Sequence, residues 1–413
     1  MEKHSQFFLR ILLCICVYLA LLCACEAPAS TGASLFTAPT TVAPETEPTA
    51  SKEVTGIATQ HQKIQQKISE IAQKYGASGV QVAVIENGKV ADDYVFGWAE
   101  WNAVPMTPNT KIRVASLSKI AVGMAAASLL DEGTVDLDAD ISKYWDVQVK
   151  NSYYPNIPIT LRMLLNHTSS MYEQADEADT SAAAIRKRLT GAAFSRQKPG
   201  VTGSYDYCNY AFRVLGVTLE LAGNRTLDQI LGTAFYTPLG IDIAFAAGDL
   251  QNPRPIATLY RAGGEVAMSA DALRDRHNTT VPGGDGRYYA GNLTSSARDF
   301  AKLLAVLAND GQYEGQQLLS AEAVAQLESC LPGKVSDGSY QAAPMACRSG
   351  LYGQETVYYH TGSAWGAYNC ASYDPITGCG VVVLTIGAEL GYDQYGIYSI
   401  CSEINACIYG LID

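Results

Sequence analysis

The chain has 413 residues, 48% apolar and 17% charged, with 41 acidic against 29 basic side chains and a formal net charge of −12. This is ample for a large buried core, and the acidic excess argues against a nucleic-acid partner and against an electrostatically held anionic membrane surface. There is no zinc-type Cys/His spacing, Walker loop or dinucleotide fingerprint, so no metal and no cofactor is expected.

Residues 1–24 read as a signal peptide. Lys3 and Arg10 precede an apolar run, Ile11 to Ala24, of about fourteen residues, which is short for a bilayer span. Leu22-Cys23-Ala24-Cys25 resembles a bacterial lipoprotein box, in which cleavage precedes a cysteine that is then lipidated. The expectation is an extracytoplasmic protein on the outer face of the bacterial cell membrane, touching the membrane only through lipidated Cys25. Residues 25–54, rich in Ala, Pro, Thr and Glu, are expected to be a disordered linker. That leaves 55–413 as one folded domain, expected to be a monomer.

Along this domain, Ile57, Ile64, Ile68 and Ile71 recur at near-helical spacing and predict an amphipathic helix from Thr55 to Lys74. Val80 to Ile85, the turn Asn87-Gly88 and the return from Val90 to Trp98 predict a β-hairpin. A helix follows with Ser116 at its start and Gly133 as its stop, apolar on nearly every side and therefore expected to be buried all round. Further helices are predicted at Ala182–Leu189, Tyr210–Leu221, Leu227–Leu231 and after Ser296. Residues 250–292, rich in Gly and Pro, read as loops framing a cleft. Strands return at Val357–His360, Tyr368–Tyr373 and Gly380–Ile386, and Ile397–Ile408 closes the chain as a helix. Strands at both ends with helices between predict an α/β (α+β) fold. Its antiparallel sheet is built from both chain ends, flanked by helices, with a mostly helical region inserted.

Seven cysteines lie in the domain: Cys208, Cys330, Cys347, Cys370, Cys379, Cys401 and Cys407. The odd count leaves at least one unpaired. Cys370 and Cys379 flank the turn Asp374-Pro375-Ile376-Thr377-Gly378, so a cross-strand disulfide is expected between them, while Cys208 is expected to be free.

The chemistry-bearing stretch is Ser116-Leu117-Ser118-Lys119 at the start of the buried helix. A hydroxyl there faces free N–H groups, and Lys119 projects three residues on from the same side. Burial disfavours the ammonium form, so Lys119 is expected to titrate near neutrality and to accept the serine proton. A second Ser-x-x-Lys, Ser195-Arg196-Gln197-Lys198, runs into Pro199-Gly200 and reads as a loop. Tyr207-Cys208-Asn209 before a helix and His360-Thr361-Gly362 ending a strand complete the pattern. Tyr154-Pro155-Asn156 has no helix attached, and His167 of His167-Thr168-Ser169 reads as a buried structural histidine.

In order, spacing and context these three motifs resemble the penicillin-recognising serine hydrolases, the family of class C β-lactamases, D-alanyl-D-alanine carboxypeptidases and related esterases. The resemblance covers roughly residues 57–410 and includes Ile159–Ser169 and Gly291–Asp299. It implies a β-lactamase/transpeptidase-like fold and acyl transfer, with Ser116 as nucleophile and Lys119 and Tyr207 sharing the proton work. The phenol beside an ammonium is expected to shift towards phenolate. Asn209 would orient Lys119 and the substrate amide, with helix capping as its alternative role. The backbone N–H groups of Ser116 and Ser363 would hold the oxyanion. His360, Thr361, Gly362 and Ser363 would bind substrate, Gly362 leaving room for an extended chain against the strand.

His360 stands where the β-lactamases carry lysine. A histidine holds a substrate carboxylate only when protonated, so tighter binding is expected below about pH 6.5. No second carboxylate motif for activating the deacylating water is visible. These features imply D,D-carboxypeptidase-like hydrolysis of peptide amides such as cell-wall stem peptides, with slow β-lactam release. Esterase, D-amino-acid amidase and β-lactamase are the alternatives within the family, and a penicillin-binding sensor lipoprotein without turnover is the alternative outside catalysis.

Overall fold

The structure, a computed structural model, describes residues 52–175, 178–191 and 193–412. The predicted signal peptide, Cys25 and nearly all of the predicted linker lie outside the described residues. No helix among the described residues is long and apolar enough to cross a membrane.

The sheet has eight antiparallel strands. Three come from early in the chain, β1 (Gly79–Glu86), β2 (Lys89–Glu100) and β3 (Val104–Pro105). Five come from late in it: β4 (Tyr340–Gln341), β5 (Ala346–Arg348), β6 (Val357–Ala364), β7 (Ala367–Asp374) and β8 (Cys379–Ile386). The spatial order is β4-β5-β6-β7-β8-β1-β2-β3, so the two ends of the chain meet where β8 pairs with β1, from Gly79 opposite Ile386 to Ile85 opposite Gly380. Asn87 and Gly88, both at positive φ (52° and 68°), make the tight turn between β1 and β2.

Both sheet faces are covered, and the period of two in the strands assigns side chains to each. Val80, Val82, Val381 and Val383 join Ile64 and Ile68 of helix α1 (Lys52–Lys74) and Ile404 and Ile408 of the C-terminal helix. Ala83, Ile85, Val382 and Leu384 face the larger core with Phe300 and Leu304 of the helix Ala297–Ala308. Burial of each such Val, Leu or Ile contributes on the order of 1.5–3 kcal/mol. The register is therefore strongly specified, because a one-residue slip would exchange the two faces.

The inserted region carries helix α2 (Ser118–Asp131), in which every residue from Ser118 to Leu129 is buried, Lys119 included. It stops as its sequence foretold, with Gly133 at φ 69° donating its N–H to Leu130 O. Helix α3 (Asn209–Gly223) packs beside it. The fold thus agrees with the expected antiparallel sheet from both ends enclosing a helical insertion. Ser195 to Lys198 has no helix, as expected.

The expected Cys370–Cys379 disulfide is corrected. Register places Cys370 opposite Val383 and Asp374 opposite Cys379, and all seven described cysteines are free. Cys370 points into the buried layer under the terminal helices, away from the turn. Cys330 and Cys347 lie together instead, thiol hydrogen-bonded to thiol. Mild oxidation with diamide is expected to link Cys330 to Cys347 and to leave Cys370 and Cys379 alkylatable. Non-reducing peptide mapping reads the outcome.

Candidate active site

Ser116 sits in a single 3-10 turn, Ala115–Leu117, between the short strand Ile112–Arg113 and α2. The turn is held in an unusual shape. Ala115, a non-glycine residue, has φ 54°, a sparsely populated conformation that persists only where its surroundings enforce it. Ser118 Oγ donates to Ala115 O at 2.6 Å and accepts from Leu293 N–H at 3.0 Å, tying the turn to the segment before the helix Ala297–Ala308.

Behind the serine, Lys119 Nζ lies 3.3 Å from Ser116 Oγ, 2.9 Å from Asn209 Oδ1 and 2.7 Å from Ala290 O. It also stands over the rings of Tyr207 and Phe212, at 4.8 and 5.4 Å from their centroids. Burial brings its pKa from 10.5 down to about 7, with the Arg213 charge acting the same way and Glu173 opposing. A neutral amine has two hydrogens and one lone pair. Asn209 Oδ1 and the Ala290 carbonyl can only accept, so they take the hydrogens and leave the lone pair for Ser116.

Tyr207 hydrogen-bonds Ser116, but its titration runs opposite to expectation. Although 39% of the residue is exposed, desolvation of the phenol raises its pKa, and the Ser116 hydrogen bond only partly offsets this. At neutral pH Tyr207 is a phenol and not a phenolate, which leaves Lys119 as the group poised to accept a proton. Asn209 is the first residue of α3. The cap of that helix is Cys208, whose buried free Sγ accepts from Ala211 N–H at 3.3 Å, so Asn209 serves Lys119 and not the helix end.

His360, Thr361, Gly362 and Ser363 do not end a strand, as the sequence suggested; β6 continues through them to Ala364. His360 Nδ1 donates to Thr361 O at 2.6 Å, leaving Nε2 as an acceptor. Burial and the Lys119 charge lower its pKa to about 3. His360 is therefore neutral through the physiological range, and the expected tightening of carboxylate binding below pH 6.5 has no basis in this residue. The Ki–pH curve of a carboxylate inhibitor is expected to keep its shape between about pH 5 and 8 in His360→Gln. A step present in the parent and lost in the variant would contradict this.

Gly362 earns its place for a different reason from the one expected. A Cβ on it would stand 2.5 Å from Val114 O and 3.1 Å from Ser116 N, so the missing side chain admits the serine turn itself, not a substrate. Gly362→Ala must push β6 and the turn apart. A loss of about 100-fold in kcat/KM with an unchanged circular dichroism spectrum is expected, the usual cost of displacing reacting groups by about 1 Å.

Three further residues build the site, and two of them, Glu173 and Glu220, escaped the sequence reading. His167 is buried as expected, its Nδ1 accepting from Cys208 N–H at 3.1 Å, but it also stacks 4.4 Å from the Tyr207 ring and so fixes the phenol. Glu173 accepts from the N–H groups of Asn209 and Tyr210 at 2.6 and 3.0 Å, occupying both its oxygens. Glu220, a carboxylate in the apolar run of α3, accepts from Tyr289 Oη at 2.5 Å and from the N–H groups of Leu227 and Gly283. It thereby anchors the chain next to Ala290, whose carbonyl holds Lys119. The out-of-place acid between Leu219 and Leu221 was the one available signal.

Two cavities lie at the site, one lined by Ser116 and the other by its hydrogen-bond partner Tyr207. Tyr207, His360 and Thr361 line one, with His167 and Tyr359. Ser116, Asn209 and Ser363 line the other, of about 270 Å³. No group of residues able to hold a metal ion occurs among the described residues.

The family model described as Beta-lactamase matches residues 64–400. The chain belongs to the Beta-lactamase family. Among curated members, it is 26% identical over 184 residues to Protein flp of Staphylococcus aureus (strain N315), a match covering 43% of this chain and 36% of flp. This chain thus spans about a third of that relative. Solved structures share the fold. A β-lactamase/D-alanine carboxypeptidase from Pseudomonas syringae superimposes with TM-score 0.66 at 17% identity, covering 86% of this chain and 98% of that one. A D-amino acid amidase from Ochrobactrum anthropi SV3, complexed with L-phenylalanine amide, gives TM-score 0.64 at 21% identity, covering 86% and 97%.

Proposed function

We propose that this Beta-lactamase family member is a serine hydrolase that works through an acyl-enzyme on peptide-like amides, with D,D-carboxypeptidase-like activity and slow release of β-lactams. The observation that carries this reading is the Lys119 amine, held with its lone pair towards Ser116 Oγ. As Ser116 Oγ bonds to the substrate carbonyl carbon, its proton passes to Lys119 Nζ, and the carbonyl π pair moves to oxygen. The backbone N–H groups of Ser116 and Ser363 receive that oxyanion. Collapse expels the leaving nitrogen, which takes a proton from the Tyr207 hydroxyl while Lys119 returns one to Tyr207. Water repeats the sequence to free the acid. The carboxylate of Glu173 is already committed to backbone N–H groups, which supports slow deacylation.

A second reading, esterase or D-amino-acid amidase, is favoured by one feature: neutral His360 faces the leaving-group cavity and offers no charge to a terminal carboxylate. Intact-mass spectrometry after incubation with D-alanyl peptides, D-amino-acid amides, esters and penicillins tests both. Acyl adducts that clear from peptides but persist from penicillins support the first, and clearance only from amides or esters supports the second. Adducts that never clear from any substrate indicate a sensor. We further infer lipid anchoring at Cys25, tested by release of Cys25→Ser protein from membranes.

A further inference from the structure

The cavity on the acyl side of Ser116 carries an unexpected charge. In a chain of net charge −12, Arg113, Arg213 and Arg287 line it and no carboxylate does among the described lining residues. Arg113 donates Nε to Gly291 O at 2.7 Å and lies 4.1 Å from the Trp365 ring, whose other contact with a cation is Arg276 at 4.9 Å. Trp365, itself in the cavity wall, thus holds two guanidiniums, of which Arg113 lines the cavity. Arg287 is paired with Asp285 at the rim, where its side chain is 62% exposed.

Which part of a substrate meets these groups follows from the proton path. The leaving atom must collect its proton from Tyr207, which lines the other cavity and not the arginine-lined one. The acyl remainder, still bonded to Ser116, therefore extends into the arginine-lined one. The geometry points to an acyl donor that carries a carboxylate on its acyl moiety, with Arg113, Arg213 and Arg287 as its specificity determinants. Guanidinium forks match carboxylate geometry and are less strongly hydrated than ammonium groups, which suits them to a partly enclosed site. A cluster of one sign within a protein of the other also focuses anionic ligands towards the nucleophile. This inference rests on the hydrolase reading for the identity of the acyl side.

The test compares mono-p-nitrophenyl adipate with p-nitrophenyl hexanoate, which lacks only the terminal carboxylate, and adds a calorimetric titration of the protein with adipate. The ratio of kcat/KM for adipate over hexanoate ester is expected to be about tenfold or more and to shrink as salt rises. Arg213→Gln, and separately the rim variant Arg287→Gln, are expected to lower that ratio by about tenfold. Equal turnover of the two esters overturns the anion site and leaves the hydrolase reading standing. Adipate binding that weakens in Arg287→Gln, with neither ester cleaved, sinks the hydrolase reading and keeps the anion site. Absence of both binding and turnover overturns the two together.

Discussion

Ser116→Ala is expected to abolish covalent labelling by a fluorescent penicillin and to reduce turnover of any substrate by at least about 10⁴-fold, roughly 5.5 kcal/mol of transition-state stabilisation. The size follows from what remains. Lys119, Tyr207 and the two oxyanion donors are untouched by the change, but the hydrogen-bond partners left to Lys119 Nζ among the described residues, Asn209 Oδ1 and Ala290 O, are not nucleophiles. Ser118 cannot substitute, because its Oγ is committed to Ala115 O and Leu293 N–H. The variant should fold, because Ser116 is partly exposed and its loss leaves no cavity. Labelling that survives in a folded Ser116→Ala protein would transfer the nucleophile elsewhere.

The second large effect is on pH. Lys119 must be unprotonated to accept the serine proton, and its pKa of about 7 places the change at neutrality. Below pH 7 the ammonium predominates, so kcat/KM is expected to fall about tenfold per pH unit on acidification and to level off above about pH 8. Lys119→Met is expected to cost about 10³-fold or more and to erase this limb, which pre-steady-state acylation rates against pH would show. Arg213→Gln removes a charge that helps keep the lysine neutral, so its limb is expected to move to higher pH. A profile that is flat from pH 5 to 8 in the parent would remove Lys119 from the role of base.

How much of this was legible in the sequence depended on whether the signal was local. α2 announced itself because a helix without a polar face can only be buried, and its burial set the direction of the Lys119 shift. The two-sided strands were equally plain, since Val80 to Ile85 and Val381 to Ile386 are apolar but for Gln81 and Thr385. Non-local facts were harder. The third partner of Lys119 is a backbone carbonyl at Ala290, which has no side-chain signature. The direction of the Tyr207 shift depended on enclosure by His167 and its neighbours, which overrides the nearby amine. The Cys370–Cys379 pairing failed because a hairpin's register, not the positions of cysteines around a turn, decides which side chains face each other. Gly362 was found for its place in a motif, while its physical reason, the approach of the Ala115–Leu117 turn, appeared only with the packing.

The contact between Gly362 and the serine turn also has a consequence for how the chain comes alive. Ser116 belongs to the first third of the chain, whereas Ser363 arrives on a strand that is made near the end of synthesis. The N-terminal half is synthesised first, so on the proposed mechanism a partial chain holds Ser116 without the Ser363 N–H and without the wall that β6 supplies. On the proposed mechanism, acylation requires β6 to be docked against the Ala115–Leu117 turn, so its onset would report that the late strands have joined the early part of the chain.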